Sequence, residues 1–143
     1  MFRQLSDRVF ASPQIGLAEV AEAARMGIGL IINNRPEGES DDQVAGSEIE
    51  SAARAAGLDY VAIPVTHAGF SEWQMKAMAE ALAGTDKPVL AYCRSGTRST
   101  LLWALAQASE GKQPDELAAA AAAAGYDLTP VRALLDMLAA AKQ

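Results

Sequence analysis

The chain has 143 residues, half of them hydrophobic and only 6% aromatic, with a net charge of −6. That length fits one domain, read here as residues 1–143, with a core built from Ala, Leu, Ile, Val and Met. The acidic balance argues against general binding to nucleic acid or to an anionic membrane surface, since both need basic patches.

Taken in chain order, Phe2 to Ser12 offers one short edge strand, around Arg8 to Ala11. Residues 16–26 follow with Leu17, Val20, Ala21 and Ala24 on a helical stripe, closed by Gly27. The apolar run Ile28 to Ile32 reads as a buried strand, and the polar stretch Asn33 to Gly46 as the one substantial loop. Residues 47–56 repeat the plan, with Ser47 and Glu50 as a capping box, a stripe of Ile49, Ala52, Ala53 and Ala56, and Gly57 as the stop. The strand Tyr60 to Ile63 comes next. The third repeat spans 71–83, with Ser71 and Gln74 as caps and Met75, Met78, Ala79 and Leu82 as the stripe. Gly84 ends it, and the strand Pro88 to Tyr92 follows.

Beyond Cys93 the pattern is helical. Residues 98–109 carry Leu101, Leu102, Leu105 and Ala108. A second helix starts near Pro114, runs through an alanine tract and stops at Gly125. The last has Thr129 as cap, Pro130 in its first turn, and Val131, Leu134, Leu135 and Leu138 as its stripe. Trp73 and Trp103 fall on helices and read as packing residues. Helices alternating with continuous apolar strands imply an α/β fold in three layers: a largely parallel central sheet with helices on both faces. No apolar run reaches transmembrane length, and the start lacks a basic-then-apolar signal pattern, so a cytoplasmic place is expected.

There is one cysteine, Cys93, and one histidine, His67. An internal disulfide is excluded, a zinc site has too few soft ligands, and no cofactor is expected. Cys93 follows a buried strand and precedes a helix, so it stands at the sheet edge where open α/β sheets bind ligands. Gly96 allows a tight turn whose N–H groups form an anion nest, and the helix N-terminus adds partial positive charge. Arg94 and Arg98 flank the nest, with Arg98 placed to reach back over it. Ser99 is positioned to hydrogen-bond a thiolate or cap the helix. Each feature favours the anionic, nucleophilic form of Cys93. A cysteine kept only for packing needs none of these neighbours. The substrate-binding candidates are therefore Arg94, Ser95, Gly96, Thr97 and Ser99. Arg35 joins them from the same sheet edge, unless it merely pairs with Glu37 or Asp41.

Cys93-Arg94-Ser95-Gly96-Thr97-Arg98 resembles the active-site loop of rhodanese-type sulfurtransferases, Cys-Arg-x-Gly-x-Arg. From Leu5 to about Leu135 the chain also resembles a small bacterial domain known as beta-lactamase-hydrolase-like or protein-phosphatase-like. The residues that carry this likeness are Asn34-Arg35-Pro36, Ile63-Pro64-Val65, the Cys93 loop with Leu102-Trp103-Ala104, and Ala124-Gly125-Tyr126-Asp127-Leu128. The resemblance implies the fold of the dual-specificity phosphatases, and the same family is also called a sulfur transferase.

Loop length separates the two implied activities. Cysteine phosphatases use Cys-x5-Arg, and here that position is Ser99, with the arginine one residue earlier. A shorter loop suggests a smaller nest, better suited to a sulfane sulfur than to a phosphoryl group. The loop after Ile63-Pro64-Val65 has no Asp to act as general acid; His67 is the candidate there. Sulfur transfer from thiosulfate needs no acid. The leading expectation is thus a sulfurtransferase in which Cys93 becomes a persulfide, taking sulfur from thiosulfate or another persulfide and passing it to a thiol acceptor. The alternative is a cysteine-dependent phosphatase that uses Cys93 and Arg98 on phosphate esters. A third reading, from another class, is a silent module that binds anions or proteins.

Overall fold

The computed structural model describes residues 2–142. Its strands are β1 (Arg3–Gln4), β2 (Val9–Ser12), β3 (Leu30–Asn33), β4 (Asp59–Ala62) and β5 (Val89–Tyr92). The α-helices are α1 (Leu17–Arg25), α2 (Gly46–Ala55), α3 (Glu72–Ala83), α4 (Thr97–Ser109), α5 (Pro114–Ala123) and α6 (Arg132–Lys142). The sheet order is β1-β2-β5-β3-β4, and every pairing is parallel except that of β1 with β2. The expected three-layer α/β architecture is the observed one.

Strand periodicity sorts the core into two halves. Ile31, Leu90 and Tyr92 point to one face and pack with Val20 and Ala23 of α1 and Ile49 and Ala53 of α2. Leu30, Ile32, Val89 and Ala91 point to the other, against Met78, Leu82 and the α4 side chains. Both faces are covered, which is why β3 and β5 read as continuous apolar runs rather than as alternating ones. Each large aliphatic side chain buried here is worth roughly 1.5–3 kcal/mol of transfer free energy. Helix α4 lies in the centre of its layer and touches α3, α5, α6 and the sheet. Its residues Leu101 to Ala106 are all buried, as expected of a helix that is apolar all round. The buried α4 thus anchors the Cys93 loop from one side, and β5, the middle strand, anchors it from the other.

Several expectations are corrected. Val9–Ser12 is an interior strand, because the exposed pair Arg3–Gln4 folds back to cover its outer side. The box expected at Ser47 is absent. Helix α2 starts at Gly46, whose N–H donates to both carboxylate oxygens of Glu37, at 3.0 and 3.1 Å. Thr129 and Pro130 open a 3₁₀ turn, Thr129–Val131, before α6 begins. Trp103 is buried, whereas Trp73 is 55% exposed and packs little. No helix among the described residues is long and apolar enough to cross a membrane.

Candidate active site

The register of the sheet sets the site. Asn33 pairs with Tyr92, so Asn34 and Cys93 leave the carboxyl edge side by side, and the Asn34 N–H donates to the Tyr92 carbonyl at 2.8 Å. The Cys93 N–H donates to the Ser12 carbonyl at 3.3 Å. Cys93 itself is fully buried. Gly96 then turns the chain with φ +93°, in the left-handed region, and serves as N-cap of α4. Its N–H donates to Cys93 Sγ at 3.1 Å. One loop N–H, that of Gly96, is thus directed at the sulfur, at the positive end of a 13-residue helix. Only glycine fits the turn: a Cβ there would lie 2.1 Å from the Tyr126 hydroxyl and 3.2 Å from the Ser12 carbonyl carbon. Tyr126 braces the loop by donating to the Ser95 carbonyl at 3.1 Å, with the Arg3 guanidinium 5.3 Å from its ring centroid.

The other loop residues divide. Arg98 folds over the site, largely buried. Its Nη1 donates to the Val65 carbonyl at 2.6 Å and to Glu39 Oε2 at 2.6 Å, and its Nη2 donates to Glu39 Oε1 at 2.9 Å. The hydrogen bond to Glu39 raises the pKa of Arg98 above the usual arginine value, burial opposes this, and the Cys93 charge adds to the rise. Arg94 is exposed. The Ser95 and Thr97 hydroxyls bond to each other at 2.9 Å on the exposed rim. Ser99 makes neither expected bond. It is buried in the first turn of α4, Gly96 takes the cap position, and the Ser99 hydroxyl has no partner. His67 is exposed on the loop after β4, two residues beyond the carbonyl that holds Arg98.

Arg35 does not pair with Glu37 or Asp41. It is buried, and its three nitrogens donate to Glu39, Gln14 and Ser40 at 2.9, 2.9 and 3.1 Å. Glu39 thus joins two arginines, and their donation, Arg98 first, holds its carboxyl at a pKa of about 2 despite partial desolvation. Sequence reasoning missed Glu39. It lies in an irregular loop, 59 residues from Arg98, where no periodicity signals a contact.

Comparisons with known proteins agree with this geometry. Residues 1–110 match the family model described as "Beta-lactamase hydrolase-like protein, phosphatase-like domain". A beta-lactamase hydrolase-like protein of Xylella fastidiosa strain Temecula1 is 38% identical over 125 residues, which cover 87% of this chain and 29% of that protein. The chain thus spans less than a third of the length of this curated relative. A crystal structure of a candidate phosphatase from Neisseria meningitidis Z2491 superposes with a TM-score of 0.84 at 34% identity, covering 95% of this chain and 96% of that one. TpbA of P. aeruginosa, solved in complex with pTyr, shares the fold at a TM-score of 0.66 and 15% identity, covering 99% of this chain and 89% of that one.

These findings overturn the sulfurtransferase expectation, together with thiosulfate, persulfide and a thiol acceptor as its partners. The family description and the Neisseria relative both point to phosphatases. The reasoning from loop length failed for a physical reason. Counting residues from Cys93 to Arg98 locates where the arginine leaves the backbone, but not where its guanidinium lies. The arginine stem is long and flexible, and Val65 and Glu39 set its end point from other loops. The chain belongs to the phosphatase-like domain family of the beta-lactamase hydrolase-like proteins.

Proposed function

We propose that residues 1–143 act as one catalytic domain that hydrolyses phosphate monoesters through a phosphorylated Cys93. The observation that carries this proposal is the Gly96 N–H directed at Cys93 Sγ, at a helix N-terminus, with Arg98 folded over it. Such an arrangement presents the sulfur at a place that welcomes an oxyanion beside it. The Cys93 thiolate attacks phosphorus, an S–P bond forms, and the ester P–O bond breaks. The loop N–H groups and Arg98 stabilise the charge that spreads over the phosphoryl oxygens. The leaving oxygen takes a proton, for which His67 is the proposed donor, supported by its place on the loop that also holds Arg98. Water then attacks phosphorus and gives a proton back to His67, the S–P bond breaks, inorganic phosphate departs and the thiolate returns.

The pTyr bound by TpbA, a protein of the same fold, supports an aryl phosphate as substrate. Arg94, Ser95, Thr97 and Ser99 are proposed to line the anion site. Arg35 is proposed to act through Glu39, because it is buried and each of its three nitrogens already has a partner. A cytoplasmic setting is part of this proposal, since thiols are kept reduced there. The test is steady-state hydrolysis of p-nitrophenyl phosphate by the wild type and by Cys93→Ser. Turnover abolished by the substitution supports the proposal, and equal turnover by both refutes it.

A further inference from the structure

Glu39 belongs to the loop between β3 and α2, and the chemistry above does not use it directly. Yet its carboxylate engages Arg98 with both oxygens, and one of those oxygens also accepts from Arg35. A guanidinium has five N–H donors in a rigid plane. In Arg98, Glu39 takes the fork at the far end, between Nη1 and Nη2, and the Val65 carbonyl takes a further Nη1 hydrogen. Three donors are thereby fixed. The two that remain, Nε–H and the outer Nη2–H, lie along one edge and match two oxygens of a tetrahedral anion. Cys93 lies within interaction range of this same guanidinium. Glu39 cannot serve as the proton donor, since its carboxyl stays ionised far below neutral pH. Nor is it a free surface charge: Arg35, held by Gln14 and Ser40, anchors it from behind.

We propose that Glu39 is a positioning residue for phosphoryl transfer, clamping the far end of Arg98 so that its side edge faces the phosphoryl oxygens at Cys93. This inference rests on the phosphate-ester function proposed above. A carboxylate so close to the arginine could instead compete with the substrate for it, and the two roles have opposite consequences.

The experiment compares Glu39→Gln with the wild type, and repeats the comparison in an Arg98→Lys background. Glu39→Gln keeps the shape and removes the charge; should it not fold, Glu39→Asp reads the same comparison with the charge on a shorter stem. With p-nitrophenyl phosphate, kcat should fall about tenfold or more while KM changes little. Inhibition by vanadate, which mimics the transition state, should weaken more than inhibition by phosphate. In the Arg98→Lys background the further loss should shrink to within about twofold, because Glu39 acts only through Arg98. Tighter binding of both anions by Glu39→Gln would identify a competitor and overturn the proposal. Equal losses in both backgrounds would overturn it too, as the mark of general damage. Protection of Cys93 from alkylation by inorganic phosphate needs no turnover. If the wild type shows no Cys93-dependent hydrolysis, the phosphatase function fails. Glu39 is then judged on that protection, which should weaken in Glu39→Gln only when Arg98 is present; unchanged protection overturns the inference.

Discussion

Gly96→Ala separates two physical effects at the turn that leads into α4. The backbone there has φ +93°, and a Cβ would fall 2.1 Å from the Tyr126 hydroxyl oxygen and 2.9 Å from its ring carbon Cζ. The left-handed conformation alone should cost about 1–2 kcal/mol for a residue with a side chain. The clash adds to this, because the phenol ends a stiff ring braced by Arg3 and by its bond to the Ser95 carbonyl. In the wild-type background the total should therefore exceed about 2 kcal/mol, roughly a thirtyfold shift in the folded-to-unfolded ratio. In a Tyr126→Ala background the clash is gone, and Gly96→Ala should cost only the backbone share of about 1–2 kcal/mol. Urea unfolding of the four proteins measures both numbers. The same cost in both backgrounds, or a cost below about 0.5 kcal/mol in the wild type, would refute the reasoning.

Three further outcomes follow from the site. Arg98→Lys should lower kcat on p-nitrophenyl phosphate by about a hundredfold with the fold intact, since lysine loses the planar fork, whereas Arg94→Lys, on the exposed rim, should change it by less than about threefold. Equal effects in steady-state assays would contradict the roles assigned. His67→Ala should slow hydrolysis of esters with poor leaving groups much more than that of p-nitrophenyl phosphate, which needs little protonation; a uniform loss across a leaving-group series would remove His67 as the acid. The third concerns pH. Glu39 is lowered from 4.5 to about 2 in the folded protein, so its stabilising contribution is complete above about pH 4.5 and vanishes as pH falls to about 2. The stability difference between wild type and Glu39→Gln should follow that course in acid titrations of unfolding. A difference that grows on acidification would be the wrong sign.

The parts of the fold that were legible in sequence are those whose burial is dense. β3 and β5 are buried on both faces, so Ile31, Ile32, Leu90 and Ala91 form unbroken apolar runs. The Cys93 loop was legible because Gly96 and the following helix are encoded within a few residues of each other. What escaped is long-range and polar. β1 is two exposed residues, Arg3 and Gln4, and nothing apolar marks it. Glu37 caps α2 from nine residues upstream, a distance no capping pattern spans. Glu39 meets Arg98 across 59 residues, and the sequence reads only as a polar loop there. The same gap misdirected the functional reading, since the position of the Arg98 guanidinium depends on Glu39 and Val65 rather than on the count from Cys93.

The central claim is that Cys93 carries the phosphoryl group. Rapid mixing of the wild-type protein with p-nitrophenyl phosphate, acid quench and mass spectrometry of the peptide containing Cys93 test it directly. A burst of p-nitrophenolate matched by a phosphoryl group on Cys93, both absent in Cys93→Ser, is the predicted result. Turnover without a burst, with Cys93 unmodified throughout and Cys93→Ser still active, would contradict it.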